Sequence, residues 1–427
     1  MARERANRRG AGPKHVIGVL DIGTSKIACL IAAIEPARGA DTSGPPIRIL
    51  GVGHQRAEGV KGGVIIDLDS AEQAVRATVA QAERMAGVEL SEIHIAVSCG
   101  RLKSHNFSAK APVEGGVVRE SDLDRVLSAG QAYVEQRGRS LVHLNEVALR
   151  IDGAPGSRDP RGMAAHELAL DLHAVSADEA PLRNLLMLIG RCYLEVASHV
   201  PAPYASALAV TSEDERRLGV TAVDIGAGMT SLAMFAEDRF IHACAMPVGG
   251  MQITFDIARA LHTPLAEAER IKALYGTVIC APSDEHDGFT FPAAGDEGGI
   301  MHHRTKAELA EVIRPRVTAI VHQIRQRLEE CAMTAYAGRC LVLTGGTSQL
   351  TGLSDLVAAQ LGCSVRVASP QAISGLPPAL SSSAFSTVVG LLLAQTHERA
   401  ARRVYRSREA ETGSYWKRVG SWLREGF

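Results

Sequence analysis

One pattern occurs twice and constrains the fold more than anything else in the chain. The apolar run His15–Leu20 enters the turn Asp21-Ile22-Gly23-Thr24-Ser25-Lys26 and leaves along a second apolar run, Ile27–Ile34. Much further on, Gly219–Val223 enters Asp224-Ile225-Gly226-Ala227-Gly228-Met229-Thr230 and leaves along Ser231–Ala236. Strand, tight turn, strand reads as a hairpin, and its recurrence implies two half-chains of similar plan. A lone Asp-x-Gly is ordinary turn chemistry. Two copies between apolar strands, joined to a later strand Cys340–Thr344 that ends in Gly345-Gly346-Thr347-Ser348, form a more specific pattern.

These turns have the chemistry of a polyphosphate site. Glycine lets the backbone approach an anion, and successive N–H groups in a tight turn make an anion-binding concavity. The Mg2+ that accompanies a polyphosphate keeps its waters and uses few carboxylates. Asp21 and Asp224, one from each half, suit that role. Lys26 can neutralise a phosphate, and Thr24, Thr230 and Ser231 can donate hydroxyls.

The rest of the chain alternates helical and strand patterns. Ser70–Ala86 is helix-periodic and Glu92–Ser98 alternates as a strand. Ser121 is expected to cap a helix, with Asp122 and Asp124 near the positive end of its dipole. Residues 90–165 read as a β-rich insert with that one helix, ahead of a strand at His166–Val175. A helix (Ala180–Arg191), a strand (Glu195–Val200) and a helix (Pro203–Thr211) precede the second hairpin. Helices are expected at Gly250–Leu261, Ala266–Leu274 and Lys306–Glu330, with a loop at Ala281–Gly299. The last elements are a helix (Gly352–Leu361), a strand (Ser364–Ala368) and a helix (Ser386–Gln395).

With 46% hydrophobic and 22% charged residues in 427, a disordered or fibrous chain is excluded. No apolar stretch approaches the ~18–20 residues of a membrane span. Eight scattered cysteines without a Cys-x-x-Cys pair read as reduced thiols rather than a disulfide framework or zinc site. The basic N-terminus lacks the apolar run of a secretory signal, so a cytoplasmic protein is expected.

The formal net charge of −1 conceals two basic ends on an acidic body. Residues 1–15 carry five basic side chains against Glu4, and 396–427 carry eight against four acidic ones. Both tryptophans, Trp416 and Trp422, lie in that second end. On a helix at ~100° per residue, Tyr415, Trp416, Val419, Trp422, Leu423 and Phe427 share one face and Lys417, Arg418 and Arg424 the other. This is the pattern of a helix lying in a bilayer interface, with each cation adding ~1 kcal/mol near an anionic leaflet. Arg399–Arg408 reads as a solvated tether. Nucleic-acid binding is not expected, because no aromatic residues interleave with these charges.

Asp21–Lys26, Asp224–Thr230 and Leu343–Gly352 resemble the first phosphate, second phosphate and adenosine motifs of the actin-like ATPase superfamily. Over residues 14–395 and 413–427 the chain is similar to that superfamily's FtsA family of bacterial cell-division proteins. The resemblance implies an α/β, actin-like two-lobed fold of duplicated domains around a nucleotide cleft. To this it adds an FtsA-type β-rich inserted subdomain and a C-terminal amphipathic helix. The implied divisions are a basic arm at 1–14, a first lobe at 15–89 and 166–204, and the insert at 90–165. A second lobe follows at 205–245 and 336–395 with a small subdomain at 246–335, then a linker at 396–412 and the membrane-binding helix at 413–427.

ATP and Mg2+ are the implied cofactors. Asp21, Gly23, Thr24, Ser25, Lys26, Asp224, Gly226, Gly228 and Thr230 would meet phosphates and metal. Glu269, Lys272, Gly345, Gly346 and Thr347 would meet the adenosine. Pro203–Ala209 and Ser386–Gln395 resemble the two connecting helices. Many members carry a glutamate before the first connecting-helix proline; Ala202 stands there here, which implies weak or no ATPase activity. The implied partners are the FtsZ C-terminal peptide on 246–335, further copies of the chain in protofilaments, and other division proteins. The last is the anionic surface of the inner membrane at the division site, met by Trp416, Lys417, Arg418, Val419, Trp422, Leu423, Arg424 and Phe427. A small-molecule kinase or a pilus-assembly adaptor of the same fold is the alternative, and neither needs that helix.

Overall fold

The computed structural model describes residues 15–34, 47–135, 139–156, 159–295, 301–331 and 340–406. The basic arm and the amphipathic segment 413–427 lie outside them. β1 (His15–Ile22) and β2 (Lys26–Ile34) form the first hairpin, in register from His15↔Ile34 to Ile22↔Ile27. β3 (Ile47–Arg56) extends it antiparallel. It contains Gly51 and Gly53. A β-carbon at these glycines would lie 2.1 Å from Ala82 O and 1.9 Å from Thr78 O. They mark a close helix–strand approach rather than a turn.

The ribbon β4 (Val60–Lys61) and β5 (Val64–Ile65) leads to α1 (Leu68–Ala86), whose first amides donate to Asp67 at 3.1 and 3.3 Å. β6 (Glu92–Val97) then pairs parallel with β1.

The insert comprises β7 (Lys103–Pro112), α2 (Glu120–Glu135), β8 (Ser140–Ile151), β9 (Ala154–Pro155) and β10 (Glu167–Ala177), in the sheet order β7-β10-β8-β9. Helix α2 covers one face through Leu123 and Val126 against Leu168, Leu170 and Leu172. Strand pairing moves the expected limits of 90 and 165: β6 belongs to the first lobe, and β10 to the insert. Ser121 is not the cap of α2 but lies inside it. Asp122 instead accepts the Arg119 N–H at 2.8 Å, the reach-back half of a capping box.

The chain returns through α3 (Glu179–Arg191), β11 (Glu195–Pro201), α4 (Ala202–Val210) and α5 (Glu213–Leu218). The second lobe repeats the first. It has an antiparallel triplet, β12 (Val220–Ile225), β13 (Thr230–Ala236) and β14 (Arg239–Met246). Then come α6 (Gly250–Leu261), α7 (Leu265–Tyr275), β15 (Gly288–Pro292), β16 (Met301–Thr305) and α8 (Lys306–Glu330). β17 (Cys340–Thr344), α9 (Leu353–Leu361), β18 (Ser364–Val367) and α10 (Ser386–Arg406) complete it. The sheets read β11-β6-β1-β2-β3 and β14-β13-β12-β17-β18, one plan used twice.

Two expectations fail in this lobe. The loop Ala281–Gly299 contains β15, whose alternate residues Phe289 and Phe291 are buried. Helix α10 continues past Gln395 to Arg406, because no glycine or proline interrupts the good helix formers after it.

Helices α4 and α10 cross between the lobes at their backbones. A β-carbon on Gly390 would lie 1.7 Å from Ala205 O. A mid-helix glycine costs about 1 kcal/mol against alanine, and here it permits this approach. A buried aromatic junction nearby joins the insert to both lobes. His143 lies 5.1 Å from Tyr204 of α4, and His173 meets the Phe240 ring edge-on at 4.7 Å.

Burial pushes the His143 and His242 imidazoles down to about 4, and it lowers His173 and His199. His199 further depresses His143, and His143, His242 and His105 further depress His173. An unfolded histidine titrates near 6.5. The unfolded chain therefore binds more protons, and the stability of this junction is complete above pH ~6.5 and lost as pH falls through about 4. Melting temperature should be flat near neutrality and fall steeply below pH ~5. His143→Phe, which keeps the ring contacts, should move that fall to lower pH; an unmoved acid limb would refute this assignment.

Candidate functional site

Both turns close as the sequence pattern requires: Gly23 N–H donates to Lys26 O at 3.0 Å and Gly226 N–H to Met229 O at 2.9 Å. The hairpins face each other across the lobes and touch. A β-carbon on Gly228 would lie 2.4 Å from Thr24 Oγ1. Gly228 is therefore needed for the approach, and Thr24 marks the seam. Ser25 is exposed, with its carbonyl accepting from Ala57 N–H at 3.0 Å.

Asp21, Lys26 and Asp224 lie close enough to act on one another's charge. Burial pushes the Asp21 carboxyl up to about 6, Lys26 opposing and Asp224 adding to the shift. Burial likewise raises Asp224, which accepts from Thr387 Oγ1 at 3.2 Å and from Ser206. Burial lowers the Lys26 ammonium, and the two carboxylates hold it up. Lys26 donates to Ala384 O and stands 3.9 Å from the centre of the Phe385 ring. Two carboxylates that resist ionising together, with one cation beside them, leave negative charge for a further cation to balance. Two such carboxylates suit Mg2+, which keeps most of its waters, rather than a protein-caged metal. Among the described residues no group of three or more His, Cys, Asp or Glu is placed to hold a metal.

The residues expected on the adenosine side gather at the second hairpin. Gly345 has φ 84° and ψ 159°, and a β-carbon there would lie 2.3 Å from Asp224 Oδ1 and 2.5 Å from Ile225 O. Gly346 is exposed. Thr347 Oγ1 donates to Gly226 O at 3.0 Å, tying this turn to the second hairpin. Lys272 Nζ donates to Gly250 O at 3.1 Å, Thr254 Oγ1 at 2.9 Å and Glu269 Oε2 at 2.7 Å. Glu269 and Lys272 thus form one pair at the start of α6, beside Thr347.

Thr230 is a correction. Its hydroxyl is buried and donates to Val248 O at 2.8 Å, so it secures the chain entering α6 instead of facing the cleft. The inward facing of β13's first residue causes this. Ser206, Thr387 and the Ala384–Phe385 segment were not among the candidates. They come from α4 and the approach to α10, and only their order relative to the connecting helices could have signalled them. Ala202 begins α4 and is buried, so this position supplies no carboxylate.

Comparison with known proteins follows the same lines. Residues 221–390 match the family model described as cell division protein FtsA, and 99–176 match the SHS2 domain inserted in FtsA. The SHS2 match runs from just after β6 through most of β10, in line with the strand pairing. The chain is 37% identical over 425 residues to the cell division protein FtsA of Rhizobium meliloti, covering 97% of this chain and 95% of that protein. Among solved structures, the PilM–PilN type IV pilus biogenesis complex matches 90% of this chain and 99% of that chain. Its TM-score is 0.62 at 18% identity. MreB 5 of Spiroplasma citri bound to AMPPNP matches 92% and 99%, with a TM-score of 0.51 at 12% identity. These two likenesses place the fold as actin-like.

Proposed function

Because this chain belongs to the FtsA family of cell division proteins, we propose that it binds ATP with Mg2+ between its lobes, polymerises, and anchors FtsZ filaments to the inner membrane at the division site. The observation that carries the nucleotide reading is the meeting of the two Asp-Ile-Gly hairpins, with Gly345 packed on Asp224. Asp21 and Asp224 would hold hydrated Mg2+, which supplies charge neutralisation for the β- and γ-phosphates. Backbone N–H groups at Gly23–Ser25 and Gly226–Gly228 would cradle the phosphates, and the Glu269–Lys272 pair would flank the adenosine. The small subdomain, centred on α8, would take the FtsZ C-terminal peptide. No described helix is long and apolar enough to cross a membrane, so contact with lipid would fall to residues 413–427 as a peripheral anchor.

With Ala202 at the corner where a carboxylate would orient water, hydrolysis should lack a general-base contribution of ~10²–10⁴-fold. Phosphate release should therefore stay very slow with ATP and Mg2+, and rapid transfer to a small acceptor would indicate a kinase. Electron microscopy of the full chain with ATP on lipid monolayers tests the whole reading. Filaments on the lipid that vanish on deletion of 413–427 are the expected result. Bare monolayers with the full chain would refute it.

A further inference from the structure

The insert touches the second lobe in a specific place, the free edge of its sheet. β14 is an outer strand, so one row of its backbone groups has no strand partner. Side chains of the insert take that partner's place. Ala243 N–H donates to Ser104 Oγ at 2.6 Å, and the Ser104 hydroxyl lies 2.8 Å from Ala243 O. Asn145 Nδ2 donates to Phe240 O at 2.8 Å. Returning from the lobe, Arg239 Nη1 donates to Glu146 O at 3.3 Å.

These contacts are braced from behind. His173, fully buried, has Nε2 at 2.8 Å from Ser104 Oγ and Nδ1 at 3.1 Å from Asn145 Oδ1. One imidazole therefore sets both side chains that read the β14 edge. The insert's root is equally fixed. Arg139 donates to Ser176 Oγ, Asp178 and the carbonyls of Gly100 and Arg101, where the chain leaves and re-enters the first lobe. The insert is thus a stiff body fastened to the first lobe at its root and to the second at β14.

The other end of β14 lies at the phosphate hairpin. β14 pairs along β13, which begins at that turn, and the segment after β14 bonds to it: Gly250 N–H donates to Gly226 O at 2.9 Å and Met251 N–H to Ala227 O at 2.7 Å. We propose that the insert is a strut between the lobes beside α4, holding them in this arrangement through Ser104 and Asn145 on the β14 edge, so that opening of the nucleotide site and release of the insert are one event. The strut is made in the arrangement in which Thr24 touches Gly228 across the seam, so it favours that arrangement. This coupling rests on the nucleotide reading above.

The test uses the full chain and a fluorescent ATP analogue with Mg2+. Ser104→Ala combined with Asn145→Ala should speed nucleotide dissociation about tenfold, as expected for the loss of two or three hydrogen bonds. It should also raise amide hydrogen exchange along β14. Arg239→Ala, which loosens the contact from the other side, should act in the same direction by less and serves if the double variant fails to fold. Faster β14 exchange with an unchanged dissociation rate would overturn the coupling, as would no change in either. Failure of the unaltered chain to bind nucleotide would sink the nucleotide reading first and the strut's role with it.

Discussion

Gly345→Ala should abolish nucleotide binding while Gly346→Ala leaves it nearly intact. The two glycines are neighbours, so sequence position cannot separate them; conformation does. At φ 84° and ψ 159° Gly345 occupies a region essentially closed to residues with a β-carbon, a strain of ~1–3 kcal/mol. The new methyl would also meet Asp224 Oδ1 at 2.3 Å and Ile225 O at 2.5 Å. Neither neighbour can yield cheaply, since Ile225 is backbone and Asp224 is held by Thr387. The second phosphate hairpin would be pushed out of line with the first. At Gly346 the nearest atom to a new β-carbon is Ala384 Cβ at 3.6 Å, an ordinary contact. Titration with a fluorescent ATP analogue should show affinity falling at least ~100-fold for the first variant and within about threefold of normal for the second. A folded Gly345→Ala chain that binds normally would mean that the adenosine turn has been misplaced.

The second large effect concerns the membrane. Trp416→Glu combined with Trp422→Glu should eliminate co-sedimentation with anionic liposomes without lowering the melting temperature. Each tryptophan contributes ~2 kcal/mol or more of apolar burial, so losing both, and adding charge repelled by the lipid, amounts to ~10³-fold or more. Raising salt should weaken binding of the unaltered chain in part, because the Lys417, Arg418 and Arg424 contribution is screened and the aromatic one is not. Undiminished sedimentation of the double variant would remove the membrane reading.

The parts of the fold that were legible in sequence were those where local chemistry and tertiary role coincide. The Asp-Ile-Gly turns punctuate apolar strands and also meet each other between the lobes, so the local pattern and its tertiary place coincide. No local pattern accounts for Gly51 and Gly53, whose reason lies in another element, the backbone of α1. β10 misleads at the insert's border because its apolar run would suit either sheet, and only pairing with β7 assigns it. Thr230 has the right chemistry for a phosphate and the wrong facing, which alternation along β13 decides. Thr387 and Ser206 hold a site carboxylate from far away in sequence, and no spacing announces them.

The crossing of α4 and α10 has a mechanical consequence. Helices usually interlock by setting the ridges of one into the grooves of the other, and turning them then forces side chains to disengage. Where Gly390 lies on Ala205 the contact is backbone on backbone. Around that point Leu208 of α4 and Val389, Leu392 and Leu393 of α10 are buried in the same core, so the bare contact is local and is ringed by interlocked side chains. Any turning of one helix on the other would have its tightest point here, close to the aromatic junction through which the insert meets both lobes.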